Sequence, residues 1–174
     1  MLASRAARFI AVGAAVTAAV LSGTPSLAST TSSDGQSSAA ALRQSTIHLI
    51  QSNQAVGTNV DVGRRGESVG DYVVITGPLL HPDSGQRAGF ASVVCTVLRT
   101  GATAPLQCVG TASLAGGDIT IQGLFVTEQG RPNRLAVTGG TGQFRTARGE
   151  FVATIEADGS TDALFRLTLD APAG

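Results

Sequence analysis

Two cysteines and two histidines are the side chains of this sequence best suited to nucleophilic or metal chemistry. Cys95 and Cys108 are its only cysteines, and His48 and His81 are its only histidines. These four positions show none of the close spacings that zinc sites use, so the sequence predicts no metal site. The sequence also has no serine nucleophile elbow with histidine and acid partners, and it therefore gives no support to hydrolase chemistry.

The cysteines lie in FASVVCTVLRTGATAPLQCVG, where two apolar runs flank a polar turn. If this segment folds as a hairpin about Gly101 and Ala102, Cys95 and Cys108 lie opposite each other at a spacing that a disulfide bridges. An oxidising compartment favours that bond. The alternative, two free thiols of which one is reactive, stays open at the level of sequence.

The segment LAVTGGTGQFRTARG (135–149) suggests a different chemistry, because glycine runs that follow apolar residues can cradle nucleotide phosphates. A dinucleotide loop needs a strand, a glycine turn and a helix, whereas the residues after this run predict a β-hairpin, and the third glycine of the motif is absent. We therefore predict no cofactor and a structural turn, in which glycines permit positive φ and an aromatic ring packs on the core. The residues of this turn are Gly139, Gly140, Gly142, Phe144 and Gly149.

The N-terminal residues 1–28 have the order of a Sec signal peptide. Arg5 and Arg8 precede an apolar run that ends at Leu21, and Ser26-Leu27-Ala28 is a small-x-small cleavage site. The run is short for a membrane span, so we expect cleavage after Ala28, secretion and no stable membrane anchor; an uncleaved anchor is the alternative. The formal net charge of zero and the 4% of aromatic residues predict no nucleic-acid binding.

The remainder of the chain predicts one all-β domain. Residues 29–44 are small and polar and indicate a flexible linker, and residues 45–174 form the domain. Alternating or β-branched runs predict strands at 45–51, 71–80, 88–99, 106–114, 118–128, 150–157 and 161–171. Short strands without helical crossovers indicate an antiparallel sheet, closed as a barrel or packed as a sandwich.

Several segments together resemble the allene oxide cyclase and dirigent barrel superfamily. VGDYVVITGPL (69–79), GFASVVCTVL (89–98), GGDITIQGLFVTEQG (116–130) and LAVTGGTGQF follow each other in that superfamily's order and approximate spacing. The resemblance extends from about Ser68 to Leu169. It implies an eight-stranded antiparallel β-barrel with a largely apolar lumen, in a superfamily whose members often assemble as trimers.

The resemblance also suggests residues for the cavity or its rim, although it assigns no catalytic residue. Each of them has a structural alternative, such as an aspartate that binds turn amides, a tyrosine that anchors the rim, a core phenylalanine or a solvated rim charge. The face on which the histidine lies is not determined by the pattern of its strand. The candidates are Asp71, Tyr72, Thr76, Phe125, Glu128 and His48.

The resemblance implies a function based on positioning a ligand. Allene oxide cyclases close a fatty-acid epoxide, and dirigent proteins fix the stereochemistry of phenoxy coupling. We expect a secreted, cofactor-free cyclase or isomerase whose lumen binds a small lipid, polyketide-like or phenolic molecule. The alternatives are a non-catalytic binding barrel and a structural barrel filled by its own side chains. A lumen below roughly 300 Å³ favours the structural barrel, and a convergent polar group in the cavity favours guidance over simple binding.

Overall fold

The computed structural model describes residues 42–171, which form nine strands and one short 3₁₀ turn. The predicted signal peptide and residues 29–41 of the predicted linker lie outside this range. The strands are β1 (Leu42–Gln51), β2 (Val56–Val60), β3 (Tyr72–Leu80), β4 (Arg87–Val97), β5 (Leu106–Leu114), β6 (Gly117–Phe125), β7 (Pro132–Gly140), β8 (Arg148–Ile155) and β9 (Thr161–Asp170). The 3₁₀ turn spans Gly142–Phe144. β1 begins at Leu42, within the segment that the sequence predicts to be linker.

The strands form one antiparallel sheet that closes on itself. Their order is β1-β9-β8-β7-β6-β5-β4-β3-β2, and closure comes from an additional pairing between the end of β1 and the end of β3. β2 pairs with the first half of β3, so β1 and β2 occupy one strand position that is interrupted at residues 52–55. The molecule is therefore an eight-stranded antiparallel barrel, which confirms the predicted fold and excludes the sandwich.

One end of the barrel is closed by large apolar side chains. β6 begins at this end and β7 and β9 finish at it, because neighbouring strands run antiparallel. Ile119, Leu167 and Leu169 are at most 1% exposed here, and Phe144 from the 3₁₀ turn joins the same core cluster. In an eight-stranded barrel the interior is just wide enough for side chains to fill it, and at this end they do.

The glycines of segment 135–149 have two different roles. Gly142 and Gly149 have φ angles of 56° and 135°, which side chains rarely adopt, and Gly139 also has a positive φ of 154°. Gly140 does not have a positive φ, contrary to the prediction. A Cβ atom on Gly140 would instead lie 2.3 Å from the carbonyl oxygen of Asp118, so Gly140 is required by close backbone approach.

The two cysteines form a disulfide across the β4–β5 hairpin. Cys95 and Cys108 are direct partners in the strand register, and their sulfur atoms are bonded. Both are at most 3% exposed, on the inner face of the barrel. This bond removes the alternative of a reactive free thiol. Within residues 42–171, no helix is long and apolar enough to cross a membrane.

Candidate ligand cavity

The half of the lumen away from Phe144 contains a cavity of about 340 Å³. Its lining reaches the residues with which β6 and β8 end and β5 and β9 begin, namely Phe125, Ile155, Leu106 and Thr161. The cavity therefore extends to the barrel end opposite the closed one. Its volume lies within the range of roughly 300–1,000 Å³ that is typical of small-molecule sites.

Small and apolar side chains make most of the cavity wall. Ala153 of β8 and Ala163 of β9 face each other in register and both line the cavity, where they leave space that larger side chains would fill. Phe151 and Phe165 lie beside them, with ring centroids 4.6 Å apart at an angle of 38°. A wall of this kind binds an apolar ligand by shape and by excluding water.

The interruption between β1 and β2 brings polar groups to the cavity. The backbone amide of Ser52 donates to the carbonyl of Pro78 at 3.1 Å, and the amide of Ala55 donates to the carbonyl of Ser52 at 3.0 Å. Gly77 has to be a glycine here, because its Cβ atom would lie 2.6 Å from that of Ala55. Asn53 Nδ2 donates to the carbonyl of Asp158 at 3.3 Å and links this segment to the β8–β9 turn. The interruption is thus a fixed feature of the wall.

Six polar residues line this cavity, most of them near the interruption and the strand ends: Gln51, Ser52, Asn53, Thr111, Thr127 and Thr161. Gln51 is the last residue of β1 and pairs with Thr161 in the strand register. Its side-chain nitrogen Nε2 is buried and has no hydrogen-bond partner within residues 42–171. The cavity therefore combines an apolar wall with a few polar groups, one of which has an unmet hydrogen bond.

Among the predicted site residues, Phe125 lines the cavity. Glu128 lies in the β6–β7 loop, where it is exposed and accepts a hydrogen bond from Arg131 Nη1 at 3.2 Å. The structure thus places the aromatic ring of this segment in the wall and its carboxylate in solvent.

Asp71 lies just before β3 and organises the loop that precedes it. Its carboxylate accepts hydrogen bonds from the backbone amides of Val62 (2.8 Å) and Ser68 (2.6 Å) and from the Ser68 hydroxyl (3.1 Å). The hydrogen bond from the Val62 amide, followed by those from Ser68, holds the pKa of Asp71 below its ordinary value. The acceptor positions of Asp71 are thus occupied by the protein's own loop.

The other predicted residues point away from the cavity. Val73 and Ile75 of β3 line the cavity, so Tyr72 and Thr76, which alternate with them, lie on the outer face.

In β1, Leu49 is buried and His48 is exposed, with His48 Nε2 in contact with the carboxylate of Asp162. Tyr72, Thr76 and His48 belong to the exterior of the barrel, because strand parity places them there.

Two residues outside the predicted set matter most for the site and its frame. Gln51 shares the inward parity of Leu49, which could have identified it once the start of β1 was known. Asn133, 5% exposed, accepts a hydrogen bond from the Val126 amide at 2.8 Å and donates to the carbonyls of Val126 and Arg131 at 3.1 and 3.2 Å. It fixes the β6–β7 loop at the open end, and no local sequence pattern indicates that role. Across residues 42–171, no group of three or more His, Cys, Asp or Glu side chains could hold a metal ion.

Comparison with known proteins agrees with this geometry. The protein-family model of the allene oxide cyclase barrel-like domain matches residues 46–165 of this chain. A search of curated proteins finds no significant match.

Three solved structures illustrate the similarity of fold. A pyocyanin demethylase has a TM-score of 0.58 and 24% identity, over 70% of this chain and 99% of that one. A pterocarpan synthase dirigent protein has a TM-score of 0.58 and 18% identity, over 76% of this chain and 89% of that one. An exo-specific intermolecular Diels-Alderase has a TM-score of 0.56 and 14% identity, over 74% of this chain and 99% of that one. At these identities the likeness concerns the fold.

Proposed function

Because the chain belongs to the allene oxide cyclase barrel-like family, we propose that it binds a small apolar organic molecule in its lumen and guides the cyclisation or coupling of that molecule without a cofactor. The single observation that carries this proposal is the cavity of about 340 Å³ with its largely apolar wall. A barrel with a purely structural role would be expected to fill that space with side chains. The names of the similar structures, among them a Diels-Alderase and a pterocarpan synthase dirigent protein, support a role in making small organic products.

The proposed mechanism is restriction of conformation. A flexible substrate that enters the lumen loses freedom against Phe151, Phe165 and the alanines beside them, and its reacting atoms are held close together. The same wall excludes water, which would otherwise capture a reactive intermediate. Such a site accelerates a reaction that is already favourable and selects one stereochemical outcome.

Ligand binding is tested first with the protein recovered from its own culture. Native mass spectrometry under gentle conditions is expected to show the chain with a bound lipid, polyketide-like or phenolic mass. A protein that retains no small molecule, and that does not enhance the fluorescence of the apolar probe N-phenyl-1-naphthylamine, would contradict the proposal.

A matched pair of variants assigns the binding to the lumen. Ala163→Phe places a ring in the cavity and is expected to abolish the binding of the probe. Ala136→Phe adds the same ring at an exposed position of β7 and is expected to leave the binding unchanged. Equal effects of the two variants would mean that the probe binds elsewhere.

The proposal includes export and assembly. The signal-peptide pattern supports secretion with cleavage after Ala28, which N-terminal sequencing of the extracellular protein tests. Val94 and Val109 are direct partners on the outer face of β4 and β5 and are 44% and 52% exposed, which supports association with another copy of the chain. The trimer is the state that the resemblance to the superfamily implies. Light scattering after size-exclusion chromatography measures that state, and a monomer at micromolar concentration would contradict the trimer.

A further inference from the structure

The cavity wall contains an amide group whose hydrogen bonding is incomplete. Gln51 Nε2 is buried and no acceptor within residues 42–171 reaches it. Buried polar atoms without partners are rare in folded proteins because each one costs free energy. Such an atom in the wall of a largely apolar cavity is therefore a candidate for ligand recognition.

The position of Gln51 suits that role. It pairs with Leu79 of β3 and with Thr161 of β9, at the point where β1 closes the barrel, so its backbone is held on both sides. Gln51 is a residue of the cavity wall, and the last side-chain torsion of glutamine is broad and roughly two-fold, so its amide can turn without movement of the strand. The backbone is rigid and the amide is adjustable.

We propose that the side-chain amide of Gln51 orients the ligand by donating a hydrogen bond from Nε2 to an oxygen of an otherwise apolar molecule. The ligand class is a compact, largely hydrocarbon skeleton that carries a carbonyl or ether oxygen. This inference rests on the proposed function, because it requires the lumen to be the binding site. Since the wall as a whole is largely apolar, a directional bond from this amide favours one orientation of the ligand over the others.

The test uses two probes that differ in one group. The tricyclic ketone 9-fluorenone and its hydrocarbon parent fluorene have nearly the same shape, and each competes with N-phenyl-1-naphthylamine for the lumen. We expect the wild-type protein to bind the ketone about tenfold more tightly than the hydrocarbon, as one net hydrogen bond predicts. In Gln51→Leu that preference is expected to fall to within about twofold, with the affinity for fluorene retained or increased.

Two further variants make the result specific. Gln51→Met keeps an unbranched side chain of similar length without the amide and is expected to behave like Gln51→Leu. Thr161→Val removes a hydroxyl group from the neighbouring wall position and is expected to keep the ketone preference. Binding of the fluorescent probe itself reports that each variant is folded with an open lumen.

The outcomes separate this inference from the proposed function. If the wild-type protein binds neither fluorenone, fluorene nor the fluorescent probe, the proposed function fails and the role of Gln51 fails with it. If it binds ketone and hydrocarbon equally, or if both Gln51 variants keep the preference, lumen binding stands and the role of Gln51 is overturned. Loss of the preference in Thr161→Val to the same extent would also overturn it, because general polarity of the wall would then explain the effect.

Discussion

Removal of the disulfide between Cys95 and Cys108 should cost about 3 kcal/mol of unfolding free energy. The two residues are separated by 13 positions, and the bond closes that loop in the unfolded chain. The chain-entropy relation gives about 3 kcal/mol for a loop of this length. Native domains are stable by about 5–15 kcal/mol, so the bond is a large part of the total. The corresponding fall in the melting temperature is roughly 10 °C for a domain of this size.

Urea unfolding of three samples measures this effect: the oxidised protein, the protein reduced with a phosphine, and the double variant Cys95→Ala/Cys108→Ala. Reduction is expected to lower the unfolding free energy of the wild type by about 3 kcal/mol. The double variant is expected to be less stable still, because two buried sulfur atoms are lost as well. Reducing agent should leave the stability of the double variant unchanged, which makes it the control for the agent itself.

A loss below about 1 kcal/mol, in protein shown by thiol titration to be fully reduced, would refute the loop-entropy reasoning. It would mean that the unfolded chain already keeps the hairpin together. β4 and β5 are joined by register pairs from Gly89 with Leu114 to Val97 with Leu106, so residual pairing of that hairpin is the physical alternative.

The remaining predictions concern the unfolding free energy of variants at two structural positions and the loss of stability at acid pH. Asn133→Ala removes three hydrogen bonds at a buried position and should lower the unfolding free energy in urea by about 2–4 kcal/mol. Asn59→Ala, at an exposed position, should change it by less than about 0.5 kcal/mol. Equal effects of the two variants would contradict the role of Asn133 in fixing the β6–β7 loop. Gly140→Ala brings a Cβ atom against backbone carbonyls and should lower the unfolding free energy by about 1–3 kcal/mol. Gly57→Ala places its Cβ atom in open space and should have no such cost. A Gly140→Ala variant as stable as the wild type would refute the argument from close backbone approach. The pKa of Asp71 is lowered on folding, so its contribution to stability is present above its ordinary value of 3.8 and is lost as the pH falls through the folded-state pKa. Asp71→Asn should therefore flatten the fall in urea midpoint between roughly pH 5 and pH 2, and parallel curves for the two proteins would contradict this.

The predicted strands are the part of the fold that sequence patterns determine well. β-branched or alternating apolar runs predicted β1, β3 to β6, β8 and β9, because such runs are typical of strands that bury one face. β2 is absent from the predicted set because VGTNV is short and almost fully exposed, so it has no buried face to reveal. β7 is absent because it starts at Pro132 and ends in Gly139 and Gly140, and these residue types indicate turns.

The candidate site is less predictable because it depends on register and closure. Tyr72, Thr76 and His48 have suitable chemical groups, but strand parity places all three on the outside. To identify Gln51 as a residue of the cavity wall, one must know that β1 pairs with β3 at that residue, and no local sequence pattern indicates that pairing. Asp71 shows the same limit, since its partners Val62 and Ser68 come from an irregular loop.

Four alanines of the cavity wall contribute to the open space inside the barrel. Ala91, Ala112, Ala153 and Ala163 line the cavity, whereas Ile119, Leu167, Leu169 and Phe144 fill the closed end. The lumen of an eight-stranded barrel is narrow, so the size of the inward-facing side chains decides whether they fill it or leave a cavity. We expect stability and binding to separate: because the ring of Ala163→Phe extends into the cavity, the urea midpoint should hold or rise while probe binding is lost. A variant that loses both would mean that the alanines are required by tight packing, and that the space they leave is not available to a ligand.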